Sequence, residues 1–253
     1  MSSIARPKLR APGRDAHKYS RGMVAVVQGA MPGAAMLAAQ AAMRGGAGYV
    51  LLAGREPTLG YPHALVRRAV DDLDELLADA RIGALVIGPG LGHAHNDWLE
   101  AALASDRALV IDGDALAKLP ELPLQRSAPT ILTPHRGEFD RLFSDGGSEK
   151  RDRTAAAAKR SGAIVVHKGA ETFVAAPDGR NAVWADASGW LASAGTGDVL
   201  AGLVGAQLAG GADAFDAARA AVWLHGRAAQ LAGPALIADD LPPLIAKAIA
   251  ECL

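Results

Sequence analysis

The sequence predicts an α/β protein with a mainly parallel central sheet and helices on both of its faces. Two observations lead to this fold class. Short apolar runs recur between residues 23 and 166, as strands that are buried on both faces require. Charged stretches with helical spacing separate these runs, and this alternation is typical of strand–helix–strand units in a parallel sheet.

The predicted elements follow this alternation in chain order. Strands are predicted at residues 23–27, 49–53, 84–87, 108–111, 129–132 and 163–166. Helices are predicted at 34–44, 72–81, 97–105 and 151–161, and the chain after Gly197 is predicted to be largely helical, through 207 and then at 214–231 and 244–251. Residues 173–175 and 182–184 are predicted to form a hairpin around Pro177, Asp178 and Gly179. Because no linker, composition break or repeat divides the chain, a single domain over residues 1–253 is predicted.

Composition excludes several classes of partner. The 26 basic and 27 acidic residues of the 253 nearly cancel, and aromatic residues make up only 4%, so neither nucleic acid nor an anionic membrane is an expected partner. No run of about 18 apolar residues could span a membrane, and no signal peptide precedes the first strand. Cys252 is the single cysteine, which excludes an intrachain disulfide and favours a reducing, cytoplasmic location.

Residues 194–202 carry the most informative pattern, a glycine turn that leads into an apolar helix. The first amides of a helix lack internal partners and the helix dipole is positive there, so this turn can hold phosphate oxygens. Gly195 and Gly197 let an anion approach the backbone closely. Asp198 has two interpretations of equal weight: it accepts a proton from a substrate hydroxyl, or it caps the helix.

Further polar and glycine clusters follow four predicted strands. Gly88, Gly90 and Gly92 are interpreted as a tight turn or a ligand-binding turn, and Asp112 and Asp114 as metal ligands or helix caps, with capping the commoner role for Asp114. The other two clusters combine ionisable groups and lie at residues 133–138 and 167–172. Ligands of open α/β sheets bind at the carboxyl ends of the strands, so the clusters together favour a nucleotide-dependent site.

These residues resemble those of a known family. The Gly-Thr-Gly-Asp turn at 195–198 is similar to the anion hole of ribokinase-like small-molecule kinases. Six further segments narrow the resemblance to the ADP/ATP-dependent NAD(P)H-hydrate dehydratases. They are residues 17–19, 21–22, 32–35, 88–92, 133–139 and 168–172. The resemblance runs from about His17 to Leu241. Two positions depart from the family pattern: Arg136 stands where proline is usual, and residues 188–192 replace an Asn-Pro-Gly-Met-like stretch.

The resemblance implies a ribokinase-like three-layer sandwich and a repair reaction. In that reaction ADP or ATP phosphorylates the hydroxyl of hydrated NADH or NADPH, and loss of phosphate restores the double bond. ADP is favoured over ATP as the donor. It implies Asp198 as the catalytic base and Mg²⁺ on the nucleotide phosphates, with no metal ligands assigned in the chain. The residues implied for the adenine nucleotide are Lys168, Gly169, Ala170, Glu171, Thr172, Gly195, Thr196 and Gly197. Those implied for the hydrated dinucleotide are Ala34, Gly92, His135 and Asp198.

Two rival functions can use the same turn. A kinase of a vitamin precursor or sugar would keep Asp198 but release a phosphorylated product, and a nucleotide sensor would have little reason to keep that carboxylate. The family acts on the S epimer, and because only 16 residues precede His17, no epimerase domain is expected in front of the dehydratase. Homo-oligomers are common in the family, so one is expected here.

Overall fold

The computed structural model describes residues 2–92, 96–119, 122–124, 126–143 and 149–253. Its strands are β1 (Ser2–Ser3), β2 (Met23–Val27), β3 (Tyr49–Gly54), β4 (Val66–Ala69), β5 (Ile82–Ile87), β6 (Ala108–Ile111), β7 (Thr130–Leu132), β8 (Ile164–His167), β9 (Thr172–Ala175) and β10 (Asn181–Trp184). Its helices are α1 (Pro32–Arg44), α2 (Leu73–Leu77), α3 (Asn96–Ala104), α4 (Gly113–Leu116), α5 (Arg136–Leu142), α6 (Lys150–Ser161), α7 (Thr196–Ala209), α8 (Ala214–Ala232) and α9 (Leu241–Ala250).

The strands form one sheet in the order β1-β10-β9-β8-β7-β6-β5-β2-β3-β4. From β4 to β8 every neighbouring pair is parallel, whereas β9 pairs antiparallel with both β8 and β10. The mainly parallel sheet and the hairpin are therefore confirmed. Parallel strands end at one edge, so the segments that follow β2, β5, β6, β7 and β8 meet there, beside the start of α7.

Side chains of the central strand alternate between two hydrophobic cores. Val24 and Val26 of β2 belong to the core that also contains α1, α7, α8 and α9. Met23, Ala25 and Val27 belong to the core beneath α2, α3, α5 and α6. Helices thus cover both faces, as predicted, and the continuous apolar runs are explained because each residue of β2 is buried on one face or the other.

Some elements differ from the prediction. The edge strand β4 was missed because its sequence, Val-Arg-Arg-Ala, is largely exposed and carries no apolar run. The helix predicted at 72–81 is shorter, since α2 ends at Leu77. Helix α9 begins at Leu241, before the predicted residue 244, because proline is tolerated in the first turn of a helix.

Close packing places α7 directly behind the strand ends. Gly202 lies so near α1 that a Cβ atom there would stand 2.0 Å from the Ala38 carbonyl oxygen, and one at Gly205 would stand 2.6 Å from Val86 of β5. The glycines therefore let α7 contact both α1 and the sheet, which fixes the start of α7 at the carboxyl edge. Within the described ranges, no helix is long and apolar enough to cross a membrane.

Candidate active site

The start of α7 is a rigid glycine turn. Gly195 has φ +88°, a left-handed conformation that favours glycine, and an added Cβ would lie 2.6 Å from Leu37 and 2.9 Å from Ala238. The Thr196 hydroxyl lies within hydrogen-bond distance of two acceptors, the carbonyl oxygens of Leu191 at 2.8 Å and Ser193 at 3.0 Å. These contacts hold the turn so that the first amides of α7 remain available to an anion.

Asp198 lies in the first turn of α7 and does not act as a cap. Gly195 occupies the N-cap position, and no described residue donates a hydrogen bond to the Asp198 carboxylate. Burial, and then the nearby negative charge of Asp112, raises the pKa of Asp198 to about 6 from 3.8. A half-buried carboxylate with this pKa is mostly ionised at neutral pH and still basic enough to accept a proton, which favours the base over the cap.

A buried ion pair lies beside the turn. Lys168 Nζ donates to Asp112 Oδ1 at 2.7 Å, and the Thr133 hydroxyl donates to the same oxygen at 2.7 Å. The ammonium group also lies 3.1 Å from the point where a Cβ of Gly197 would stand. Asp112, only 2% exposed, therefore fixes a lysine cation next to the first amides of α7, an arrangement that suits an anion.

Asp114 does not cap a helix, contrary to the role considered commoner for it. Its Oδ2 accepts from the Gly92 amide at 2.8 Å, while Lys118 Nζ donates to the Gly92 carbonyl oxygen at 2.6 Å. The sequence could not show this contact because it joins two strand ends 22 residues apart. The amide and the carbonyl group of Gly92 are thus both held in place by side chains.

The glycine turn after β5 packs against the start of α1. Gly90 has φ +60°, and a Cβ there would lie 2.5 Å from the Met31 carbonyl oxygen and 3.0 Å from Ala34. The structure therefore brings the start of α1, which contains Ala34, next to the turn that contains Gly92, and both residues were predicted for the dinucleotide.

His135 both caps a helix and faces the site. Its Nδ1 accepts from the amides of Gly137 at 3.0 Å and Glu138 at 3.2 Å, and the Glu138 carboxylate accepts from the His135 amide at 2.7 Å. This capping box orients the ring so that Nε2 carries the proton, and the side chain remains 56% exposed.

A cavity of about 660 Å³ opens between the β8–β9 loop and the start of α7. Of the predicted site residues it is lined by His135, Lys168, Gly169, Ala170, Thr172, Gly195, Thr196 and Gly197. Ala34, Gly92, Glu171 and Asp198 are described but are not among its lining residues. His135 thus shares a cavity with the residues predicted for the nucleotide, although it was predicted for the dinucleotide. Both departures from the family pattern line this cavity, the first through Arg136 and the second through residues 188, 189, 191 and 192.

Two side chains at the site were not singled out from the sequence. His225 of α8 is buried and hydrogen-bonds through Nε2 to the Thr196 carbonyl oxygen at 2.9 Å. Lys150, the first residue of α6, donates through Nζ to the carbonyl oxygens of Lys168 at 3.0 Å and Glu171 at 2.6 Å. A lone histidine in an alanine-rich helix was the available signal for His225, and the sequence offered none for Lys150.

Lys150 holds the β8–β9 loop in place. Its ammonium group lies 2.7 Å from where a Cβ of Gly169 would stand, and burial lowers its pKa to about 8. We expect Lys150→Met to weaken ADP binding about 3- to 30-fold, because the loop loses two hydrogen bonds from a charged donor. Calorimetric titration with ADP measures this. Lys159→Met, at an exposed position of the same helix, is the control, and equal affinities in both variants would contradict the role.

The described residues contain no group of three or more His, Cys, Asp or Glu side chains that could hold a metal ion. Mg²⁺ is commonly held by one or two carboxylates together with substrate phosphates and water. Asp112 fits that arrangement, since both described hydrogen bonds of its carboxylate use Oδ1. The donor set thus suits an ion that arrives with a nucleotide, rather than one that the chain holds alone.

The fold is that of the ribokinase-like class. An ADP/ATP-dependent NAD(P)H-hydrate dehydratase from Bacillus subtilis, co-crystallised with ATP and Mg²⁺, has a TM-score of 0.84 at 28% identity, over 97% of this chain and 95% of that one. A hydroxyethylthiazole kinase from Pyrococcus horikoshii has a TM-score of 0.64 at 18% identity, over 91% of this chain and 89% of that one, a likeness of fold alone.

Sequence comparison defines the family within this class. A family profile described as NAD(P)H-hydrate dehydratase matches residues 24–251, and the chain belongs to this family. An ADP-dependent (S)-NAD(P)H-hydrate dehydratase from Neisseria meningitidis is 39% identical over 93% of this chain and 87% of that protein. The chain also matches bifunctional NAD(P)H-hydrate repair enzymes, and it spans about half of their length.

Proposed function

We propose that the chain dehydrates the S epimer of hydrated NADH or NADPH with ADP as the phosphoryl donor. The Neisseria relative is named an ADP-dependent (S)-NAD(P)H-hydrate dehydratase, which supports the substrate and the dependence on ADP. One observation of the site carries the proposal. The half-buried Asp198 carboxylate has no hydrogen-bond donor among the described residues and lies at an anion-binding helix start, near Lys168. Such a carboxylate repels phosphate, so it is useful there only if it handles a proton.

In the proposed reaction, Asp198 accepts the proton of the ring hydroxyl. The hydroxyl oxygen then attacks the β-phosphorus of ADP, and the bond to the bridging oxygen breaks so that AMP leaves. The C–O bond of the phosphorylated ring breaks next, with its electron pair leaving on phosphate, and loss of a proton from the adjacent ring carbon restores the double bond. ADP is thus converted to AMP and phosphate for each dinucleotide repaired.

The remaining site residues stabilise the negative charge of the phosphates and hold the two substrates. The first amides of α7 and the Lys168 ammonium group face the transferring phosphoryl group and stabilise the charge that develops there, which supplies much of the catalysis in phosphoryl transfer. A Mg²⁺ ion bound with the nucleotide, and held by Asp112, would neutralise further phosphate charge. The loop from Lys168 to Thr172 and the turn from Gly195 to Gly197 hold the nucleotide, whereas Ala34, Gly92 and His135 hold the dinucleotide.

A small-molecule kinase remains the alternative, since the same fold and base would serve it. The kinase likeness at 18% identity supports the fold alone, and the family match favours dehydration. The two functions differ in product: a kinase accumulates a phosphate ester, whereas a dehydratase releases inorganic phosphate.

Chromatography of a mixture of the two epimers of hydrated NADH, incubated with excess ADP, tests the proposal. We expect the S peak to disappear with equimolar formation of NADH and AMP. The R peak is expected to fall only as fast as spontaneous epimerisation allows. Enzyme-dependent loss of R at the rate of S, or accumulation of a phosphorylated hydrate, would contradict the proposal. A reaction without nucleotide is the control.

We also propose that residues 1–253 form one domain. The N-terminal strand β1 pairs with β10, and α9 packs on α8, so both ends of the chain join one sheet and its helical layer. A homo-oligomer and a cytoplasmic location are proposed as well. The former is supported by the family resemblance and the latter by the single cysteine.

A further inference from the structure

The cavity at the start of α7 has an apolar wall on the side of α8. Trp184, Leu191, Leu200, Val222 and Gly226 line this part. Gly226 is needed there, because a Cβ would lie 2.5 Å from Trp184 Nε1. His225 is the ionisable side chain that α8 contributes to the lining, and it is only 9% exposed.

The hydrogen bonding of His225 fixes its tautomer. Nε2 lies 2.9 Å from the Thr196 carbonyl oxygen, and because a carbonyl oxygen can only accept, Nε2 carries the proton. Burial lowers the pKa of His225 to about 4, so the ring is neutral at physiological pH. Nδ1 is then an unprotonated acceptor.

Within the described ranges, Nδ1 is left without a hydrogen-bond partner. No described residue donates a hydrogen bond to Nδ1, and this atom is not fully buried. Because His225 lines the cavity, a molecule bound there lies against the ring that carries Nδ1.

We infer that His225 is a specificity-determining residue, whose Nδ1 accepts a hydrogen bond from a donor group of the adenine nucleotide. The inference rests on the proposed function, which places that nucleotide in the cavity. The donor is either the 6-amino group of the base or a ribose hydroxyl, and both chemistries present an N–H or O–H group to the same acceptor. A nucleotide that presents an acceptor there, such as one with the 6-oxo group of guanine, is disfavoured if the base supplies the donor.

His225→Gln separates the two roles of the ring. The glutamine amide can still donate to the Thr196 carbonyl oxygen, as Nε2 does, but no acceptor remains at the position of Nδ1. We expect the variant to bind ADP about 3- to 10-fold more weakly than the wild type, as loss of one hydrogen bond implies.

Calorimetric titration of both proteins with ADP and three analogues tests the inference. The analogues are the purine nucleoside diphosphate that lacks the 6-amino group, 2′-deoxy-ADP and 3′-deoxy-ADP. One of them is expected to bind the wild type as weakly as ADP binds the variant, and to lose no further affinity in the variant. That analogue identifies the donor. The inference would be overturned if, for all three analogues, the loss of affinity caused by the analogue and the loss caused by His225→Gln simply added together.

A measurement on the wild type covers the case in which His225→Gln does not fold. The ¹⁵N NMR resonance of His225 Nδ1 is expected to shift when ADP binds, as an acceptor nitrogen does on forming a hydrogen bond, and an unchanged resonance would overturn the inference. The proposed function fails separately, if ADP does not bind the wild type or supports no dehydration. Binding of ADP with an unmoved Nδ1 resonance contradicts the role of His225 alone.

Discussion

Asp198→Asn is expected to lower turnover at least about a hundredfold while ADP still binds, because the variant loses a positioned base but keeps the anion-binding turn. Steady-state kinetics and ADP titration measure the two effects. Asp216→Asn is a matched control, because Asp216 lies in the first turn of α8 as Asp198 lies in the first turn of α7. The side chain of Asp216, however, is 61% exposed and is paired with Arg219. Near wild-type turnover in Asp198→Asn would show that the carboxylate is not the base.

The same substitution is expected to change how the free energy of unfolding depends on pH, because the pKa of Asp198 is raised in the native state. The native state holds the Asp198 proton more tightly than the unfolded chain does, so the wild type loses stability as pH rises from about 4 to about 6. Asparagine does not titrate. Asp198→Asn is therefore expected to be more stable above pH 6 by up to about 3 kcal/mol, with no such gain below pH 4. Denaturant unfolding across this range measures the difference, and a gain independent of pH would contradict the raised pKa.

Lys168→Met is expected to damage both the fold and the activity. Asp112, 2% exposed, would lose its cationic partner, and an unpaired buried charge of this kind destabilises a protein by about 3–5 kcal/mol. The nucleotide phosphates would lose a nearby cation as well, so ADP affinity and turnover are expected to fall at least about tenfold.

A second substitution separates these two effects. The double variant Lys168→Met with Asp112→Asn removes the unpaired charge, so its free energy of unfolding is expected to recover most of the loss while its ADP affinity stays low. Denaturant unfolding and ADP titration of the single and double variants measure this. A double variant as unstable as Lys168→Met would show that the pairing with Asp112 does not account for the loss.

The central strands could be predicted because strands buried on both faces leave continuous apolar runs. The fold class and the family membership are confirmed. Edge strands carry no such signal: β4 contains two arginines and β1 has two residues, paired by main-chain atoms. Local sequence therefore predicts the centre of this sheet and not its margins.

The site was predictable where a local motif carries it and not where contacts cross the fold. The glycine turn and Asp198 are adjacent in sequence, so the turn could be recognised, although only burial and missing donors distinguish a base from a cap. The pairing of Lys168 with Asp112 spans 56 residues, and the contact of His225 with Thr196 spans 29. Such contacts depend on strand order and helix packing. The roles assigned to individual site residues stay predictions.

The measurement that tests the central claim most directly follows the NADH absorbance of a solution of hydrated NADH, with AMP counted in the same reaction. With the wild-type protein and ADP, we predict that the absorbance recovers and that one AMP forms for each NADH. Without nucleotide, or with Asp198→Asn, almost no recovery is predicted. Recovery that needs no nucleotide, or AMP formation that yields a stable phosphorylated hydrate instead of NADH, would contradict the claim that Asp198 and the α7 turn carry out nucleotide-dependent dehydration.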